Sequence, residues 1–298
     1  AGLQSAVDAA QVTFNNATPA TATAGDLNIH ALNSFNIVDK IAIESGGLGA
    51  GAKVDAHIKS AQDLARVDIG VNATLSSGGN IILAANGTGT ADDEVSMDTY
   101  GGLTIGNAAS KTVIQPVNEI LYESGALVTA QGDLYSLAGD SIDYYRDVYT
   151  ITAITDSVAD SAVPVDKVDA TARSEQTNSI TVAAGALLKT AQDAYFFAEK
   201  DGFVNLKGQA KSTNWTTKAA GAIDSILGGG GAETYEGSAS SSAIGTVTIN
   251  GTVQTGIARV RALTIDQYDT ATGTASAQPA TLVPNSGNTG TFTMSGIA

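Results

Sequence analysis

Cysteine is missing from all 298 residues. That removes disulfide frameworks, thiolate metal sites and cysteine nucleophiles together. Proline is limited to five residues and aromatics to 5% of the chain, which suits narrow elements with thin cores better than a compact enzyme. Cations are few as well. Lys+Arg number 15 against 30 Asp+Glu, a net charge of −15. So acidic a surface repels phosphate backbones, and nucleic-acid binding is not expected. No run approaches the roughly 18 apolar residues that a membrane-spanning helix requires. Hydrophobic residues make up 43% and charged residues 15%, the balance of a folded chain rather than a disordered one.

What the chain has in abundance is repetition. Gly132-Asp133-Leu134-Tyr135-Ser136-Leu137-Ala138 echoes Gly25-Asp26-Leu27-Asn28-Ile29-His30-Ala31 and Gly79-Asn80-Ile81-Ile82-Leu83-Ala84-Ala85. Gln192-Asp193-Ala194-Tyr195-Phe196-Phe197-Ala198 is a degraded fourth copy. The Asp/Asn positions 26, 80, 133 and 193 are separated by steps of 54, 53 and 60 residues. Six residues upstream of three copies stand Ala73, Ala126 and Ala186, each preceded by an apolar segment (Val67-Asp68-Ile69, Ile120-Leu121-Tyr122, Ile180-Thr181-Val182). The unit reads strand, small-residue turn, short strand, Gly-Asp turn, strand. A fixed period of this size is the signature of a repeat architecture.

Three short strands interrupted by Gly, Asn and Asp cannot close a core alone. Stacking like units about 4.8 Å apart pairs every backbone edge and makes a continuous interior column. The sequence therefore predicts an all-β chain, an elongated right-handed parallel β-helix (β-solenoid) with loop or short-helix insertions. Further alternating runs, Val148–Ile154 and Phe203–Leu206, imply two to three coils of roughly 20 residues within each period. Residues 1–25 read as an N-terminal cap or joint, 26–269 as the solenoid repeats, and 270–298 as a C-terminal tail or joint rich in Thr, Ala, Gly and Ser. Residues 217–231, ending in four glycines, read as a protruding loop or short helix. Gly47-Leu48-Gly49-Ala50-Gly51-Ala52 has the outline of a dinucleotide-binding turn, but Glu44-Ser45 breaks the join to its strand and no second half follows. A glycine-rich corner is the better reading.

The segments Val67-Asp68-Ile69-Gly70 to Ala84-Ala85, Pro116-Val117-Asn118, Ala183–Leu188 and Ala220–Gly231 resemble the repeat regions of filamentous-haemagglutinin-like giant bacterial surface adhesins. That resemblance spans most of residues 26–265. It implies an extracellular, cell-surface β-solenoid with a structural, adhesive or biofilm-matrix role. Self-association is the expected partnership, because end coils expose unpaired strand edges that must be capped or pair with another chain. Head-to-tail stacking through 1–25 and 270–298 would build a filament, and a cell-surface or matrix polysaccharide is the other expected partner.

Enzymatic chemistry has little to stand on. His30 alternates away from Leu27, Ile29 and Ala31 and is expected at the solvent; His57 is equally solitary. No Gly-x-Ser-x-Gly elbow occurs. The rival from another class is a β-helix polysaccharide lyase or glycoside hydrolase, which needs converging carboxylates or Ca²⁺ beside basic residues. A phage fibre is a third reading, without the expected coiled-coil heptads. Cations look dispersed along the chain, so no cationic substrate face is expected. Carboxylates cluster at Asp92, Asp93 and Glu94, and again at Asp140, Asp143 and Asp147. Asp92, Asp93, Glu94, Asp140 and Asp143 are the candidate ligands should the acidic turns hold Ca²⁺, the expected ion for hard oxygen donors. Trp215 and Tyr144-Tyr145 are candidate sugar-stacking or interface residues, with core or groove packing the expected role of Trp215.

Overall fold

The computed structural model describes residues 2–5, 8–14, 20–22, 25–60, 62–140, 146–200, 202–214, 234–262, 270–275 and 280–294. Strands dominate these residues and none of them is helical. An opening partial layer holds β1 (Gly2–Ser5), β2 (Asp8–Phe14) and β3 (Ala20–Ala22). The next is β4 (Leu27–Ser60), β5 (Asp63–Ile69) and β6 (Thr74–Ser77). Above it lie β7 (Ile81–Ile114), β8 (Pro116–Tyr122) and β9 (Leu127–Ala130). A third full layer follows, with β10 (Leu134–Ala138), β11 (Asp147–Val182) and β12 (Leu187–Thr190). The fourth comprises β13 (Ala194–Ala198), β14 (Gly202–Asn214), β15 (Thr234–Ile249) and β16 (Thr252–Gln254). The last contains β17 (Ala258–Arg261), β18 (Thr270–Ala275) and β19 (Ala280–Met294). The described pairings are all parallel and form a 14-stranded and a 5-stranded sheet.

Register follows the sequence period. Leu27 pairs with Ile81, Ile81 with Leu134, Leu134 with Ala194 and Ala194 with Ala258. The expectation of two to three short coils per period is corrected: one period is one layer. Each long strand runs out from the body and doubles back, so β4 contributes both limbs of an arm. The fold-back shows in the packing of Ile41, Ile43 and Ala52 with Val54, Ala56, Val95, Met97 and Ala108. The runs at Val148 and Phe203 that suggested extra coils are stacked on each other as the outgoing limb of successive layers. The Gly47–Gly51 stretch sits at the arm's tip, where a Cβ on Gly101 would lie 1.9 Å from the Gly47 carbonyl oxygen. The two backbones touch there, and no phosphate-binding turn opens a helix.

The body core draws on three faces: Ile29, Leu83 and Phe196 from one, Val67, Ile120 and Ile180 from the next, Leu75, Val128 and Leu188 from the third. Ala73, Ala126 and Ala186 line the corner between them, fully or almost fully buried. Their turns close with Ala73 N–H to Gly70 O and Ala126 N–H to Glu123 O. The third turn position has positive φ at Asn72, Gly125 and Gly185, where Gly and Asn are the tolerated residues. Size is balanced across the core. Ser136 replaces the large residue of its column, and the Tyr122 hydroxyl reaches it at 2.5 Å.

The Gly-Asp turns carry a ladder of their own. Asn80 N–H donates to Asp26 Oδ1 (2.7 Å), Asp133 N–H to Asn80 Oδ1 (2.8 Å) and Asp193 N–H to Asp133 Oδ1 (2.9 Å). Each side chain caps the backbone of the next layer; Gly79 and Gly132 leave it room in the first two rungs, and Gln192 stands at that position in the third. A Cβ on Gly132 would lie 2.2 Å from Asn80 Oδ1. The segment 270–298, expected from composition as a tail, contributes strands β18 and β19 that continue the stack on β14 and β15. The short-helix expectation at 217–231 falls outside the described residues.

Gly132→Ala should therefore lower stability by about 1–3 kcal/mol, through displacement of the ladder amide. Gly49→Ala, whose Cβ would meet nothing within 4 Å, should leave the melting temperature nearly unchanged. Equal melting temperatures for both variants would show that the ladder is not what requires glycine.

Candidate functional site: a buried polar septum beside a basic groove

Where arm and body meet, the apolar interior is interrupted. Body residues Ala85 and Ile120 lie on one side and arm residues Ala91 and Ile114 on the other. Between them Asp147, Asn118, Asn178 and Gln176 are buried. Asp147 Oδ1 accepts the Gly87 N–H (2.7 Å), and its Oδ2 accepts the Asn118 amide (2.8 Å) and the Gln176 amide. Asn118 and Gln176 also donate to Asn178 Oδ1, and Asn178 donates to the Glu199 carbonyl. Lys200, also buried, donates to Ser241 Oγ at 2.9 Å. Burial pushes the Asp147 carboxyl up to about 7 against the donors that favour its charged form. This septum spans three layers and touches the surface through Gln176.

Gln176 lines one of two adjoining clefts in the concave corner between the returning arm limb and the body. The first, about 380 Å³, has Gln62, Gln115, Gln176 and Ser242 around Val117 and Ile244. The second, about 420 Å³, has His57, Lys59, Lys111 and Arg173 around Val113. Gln115 and Glu175 belong to both, so the clefts form one groove. Register brings its cations together: His57 stacks on Lys111, and Lys59 stacks on Val113, which stacks on Arg173. The expectation of dispersed cations is thus corrected. Sequence separation hides the cluster, although adding the 54-residue period to His57 arrives at Lys111. Asp55 and Glu175 are the carboxylates of the groove. Glu175 is bonded to Arg173 (2.6 Å) and to the Gln115 amide (2.7 Å).

Among the described candidate calcium ligands, Asp92, Asp93 and Glu94 do not share one face. Strand alternation turns Asp93 into the arm, where it is fully buried and accepts the Lys111 N–H at 3.0 Å. Asp92 and Glu94 face outward around Lys40, at 4.0 and 2.7 Å. Asp140 lies some fifty residues further on, with its carbonyl accepting from Asn86 at 3.2 Å. Asp143 falls outside the described residues, as do Tyr144, Tyr145 and Trp215. Among the described residues no three His, Asp or Glu side chains converge as a metal site. His30 is half-buried rather than solvent-facing; desolvation lowers its pKa against a hydrogen bond with Asn86. Among the described residues no helix is long and apolar enough to cross a membrane. The chain matches no protein-family model, no curated protein and no solved structure.

Asp93 offers a direct probe of the interior. Desolvation, then the nearby Asp39, Asp92 and Asp55, push its carboxyl up to about 7 despite the Lys111 N–H. From the ordinary value of 3.8 up to about 7, the folded chain holds a proton that the unfolded chain has released. Stability therefore falls as pH rises through that window. Asp93→Asn keeps an acceptor for Lys111 and removes the titration. It should shrink the loss of melting temperature between about pH 5 and pH 8, and raise the value at pH 8. An unchanged pH profile would show that Asp93 does not titrate there.

Proposed function

We propose that this chain is a right-handed parallel β-solenoid acting as an extracellular structural and adhesive rod, like the filamentous-haemagglutinin-type surface adhesins its repeats resemble. The observation that carries the reading is the unbroken parallel register through successive layers of 53 to 64 residues, with the same turn, ladder and core positions superposed. Such a stack is stiff along its axis, because every added layer pairs its whole length with the one below.

Growth is by head-to-tail pairing of copies. Residues 27–56 of β4 pair with β7 on one side, while β1 meets β4 only at 57–60. Among the described residues nothing covers the other edge, which carries the exposed Leu32, Val38 and Leu48. At the opposite end β17, β18 and β19 likewise each pair on one side. A long unpaired strand edge is a template for another chain, and two unlike edges joined by translation give an open filament.

Negative-stain electron microscopy across a dilution series should show rods that lengthen with concentration. The Val38→Lys/Leu48→Lys pair, which charges the exposed edge, should leave them short. Isolated short rods of the unaltered protein at every concentration would overturn the assembly reading.

A further inference from the structure

The groove in the corner between arm and body opens on a lateral face of the stack, and its chemistry points to a ligand. Its walls differ from the rest of this acidic molecule. Lys59, Lys111 and Arg173 come from three successive layers, so one cation is presented about every 5 Å along the stack axis. Arg173 is neutralised by Glu175 at 2.6 Å. Lys59 and Lys111 are exposed and carry no ion pair among the described residues.

Between the cations the floor is apolar, from Val113, Val117 and Ile244. Beside it stand the amides of Gln62 and Gln115, the Glu175 carboxylate that accepts from Gln115 at 2.7 Å, and the hydroxyl of Ser242 paired with Glu175 in register. This combination suits a ring with hydroxyls on its rim and a negative charge at each repeat. We propose that the groove binds a carboxylated glycan, a linear uronate-containing chain lying parallel to the stack axis, with Lys59 and Lys111 taking its carboxylates. Nucleic acid fits the same charges poorly. None of the lining residues is a Phe, Tyr or Trp on which a base would stack, and the field of a chain with net charge −15 opposes a dense polyanion.

The proposal deepens the adhesive reading and rests on it for its biological sense. Binding is nevertheless measured on dispersed protein, so a failure to form filaments leaves the result interpretable. A galacturonic acid oligosaccharide is titrated calorimetrically into the full chain at low ionic strength, beside its methyl-esterified form and a single-stranded oligonucleotide. Saturable binding of the free acid is expected, with weaker binding of the ester and of the oligonucleotide. Lys59→Ala/Lys111→Ala should weaken it roughly tenfold, two exposed charge contacts being lost. Lys189→Ala/Lys207→Ala, the same change of charge on other faces, should leave it within about twofold. Unchanged melting temperatures exclude unfolding as the cause. No binding, equal binding of the ester or the oligonucleotide, or equal weakening by both double variants would each overturn the proposal.

Discussion

Everything in this molecule depends on keeping one register from layer to layer, and the Asp26–Asn80–Asp133–Asp193 bonds mark where it is pinned. A slip of one residue would exchange the inward and outward faces of every strand above it. It would place Leu83 and Ile120 in water and carry polar neighbours into the core. The layers nevertheless differ in length, and the differences are confined to a few places. The third layer's extra residues all fall between Ala138 and Val148, because Ala85 pairs with Ala138 and Thr88 with Val148. In the fourth, the long excess lies between Asn214 and Thr234, opposite Ala159 and Lys167. Insertions thus collect at the neck and the arm tip, away from the Gly-Asp turns.

The arm explains the composition. Two sheet limbs that face each other across a thin interior leave room for Ala, Val, Ser and Thr, and only a few large side chains enter. Tyr149 is one, its hydroxyl occupying the space a Cβ on Gly87 would need, with Phe35 stacked 6.0 Å away. A narrow interior also places polar groups close to both walls. Thr155 Oγ1 donates to the Asp169 carbonyl across the arm, and Thr112 Oγ1 to the Thr152 carbonyl. Asp147 and Asp93 have backbone N–H donors but remain costly as charged groups in a dry interior. Both carboxyls accordingly sit well above the usual carboxylate range.

Much of the stack was legible because register leaves a direct trace in sequence. The ladder position, the buried Ala73, Ala126 and Ala186, and the inward-facing aliphatics all repeat at the spacing with which they pair. The arm was not legible, because strand alternation looks the same whether a segment continues around a coil or folds back on its neighbour. What separates the cases is the partner of each inward side chain, and Val95 meets Ala108 rather than a residue of a further coil. The acidic runs misled for a related reason. Asp92, Asp93 and Glu94 are adjacent in sequence, and adjacency in a strand means opposite faces. Conversely, His57, Lys59, Lys111 and Arg173 are far apart along the chain and form one wall.

A stack of this kind divides its surface into two classes with different chemistry. The ends present backbone donors and acceptors, a surface suited to pairing with strands rather than to reading side chains. The lateral faces present columns, in which a residue type placed in successive layers becomes a row at constant spacing. Selectivity for a linear repeating polymer is therefore available only laterally. The groove between arm and body is such a face, concave because two sheet segments meet there at an angle. Pairing at the ends leaves it open, and further layers would lengthen it. In the proposed reading, assembly and ligand capture would use different atoms of the same repeat, so that each could vary in sequence without disturbing the other.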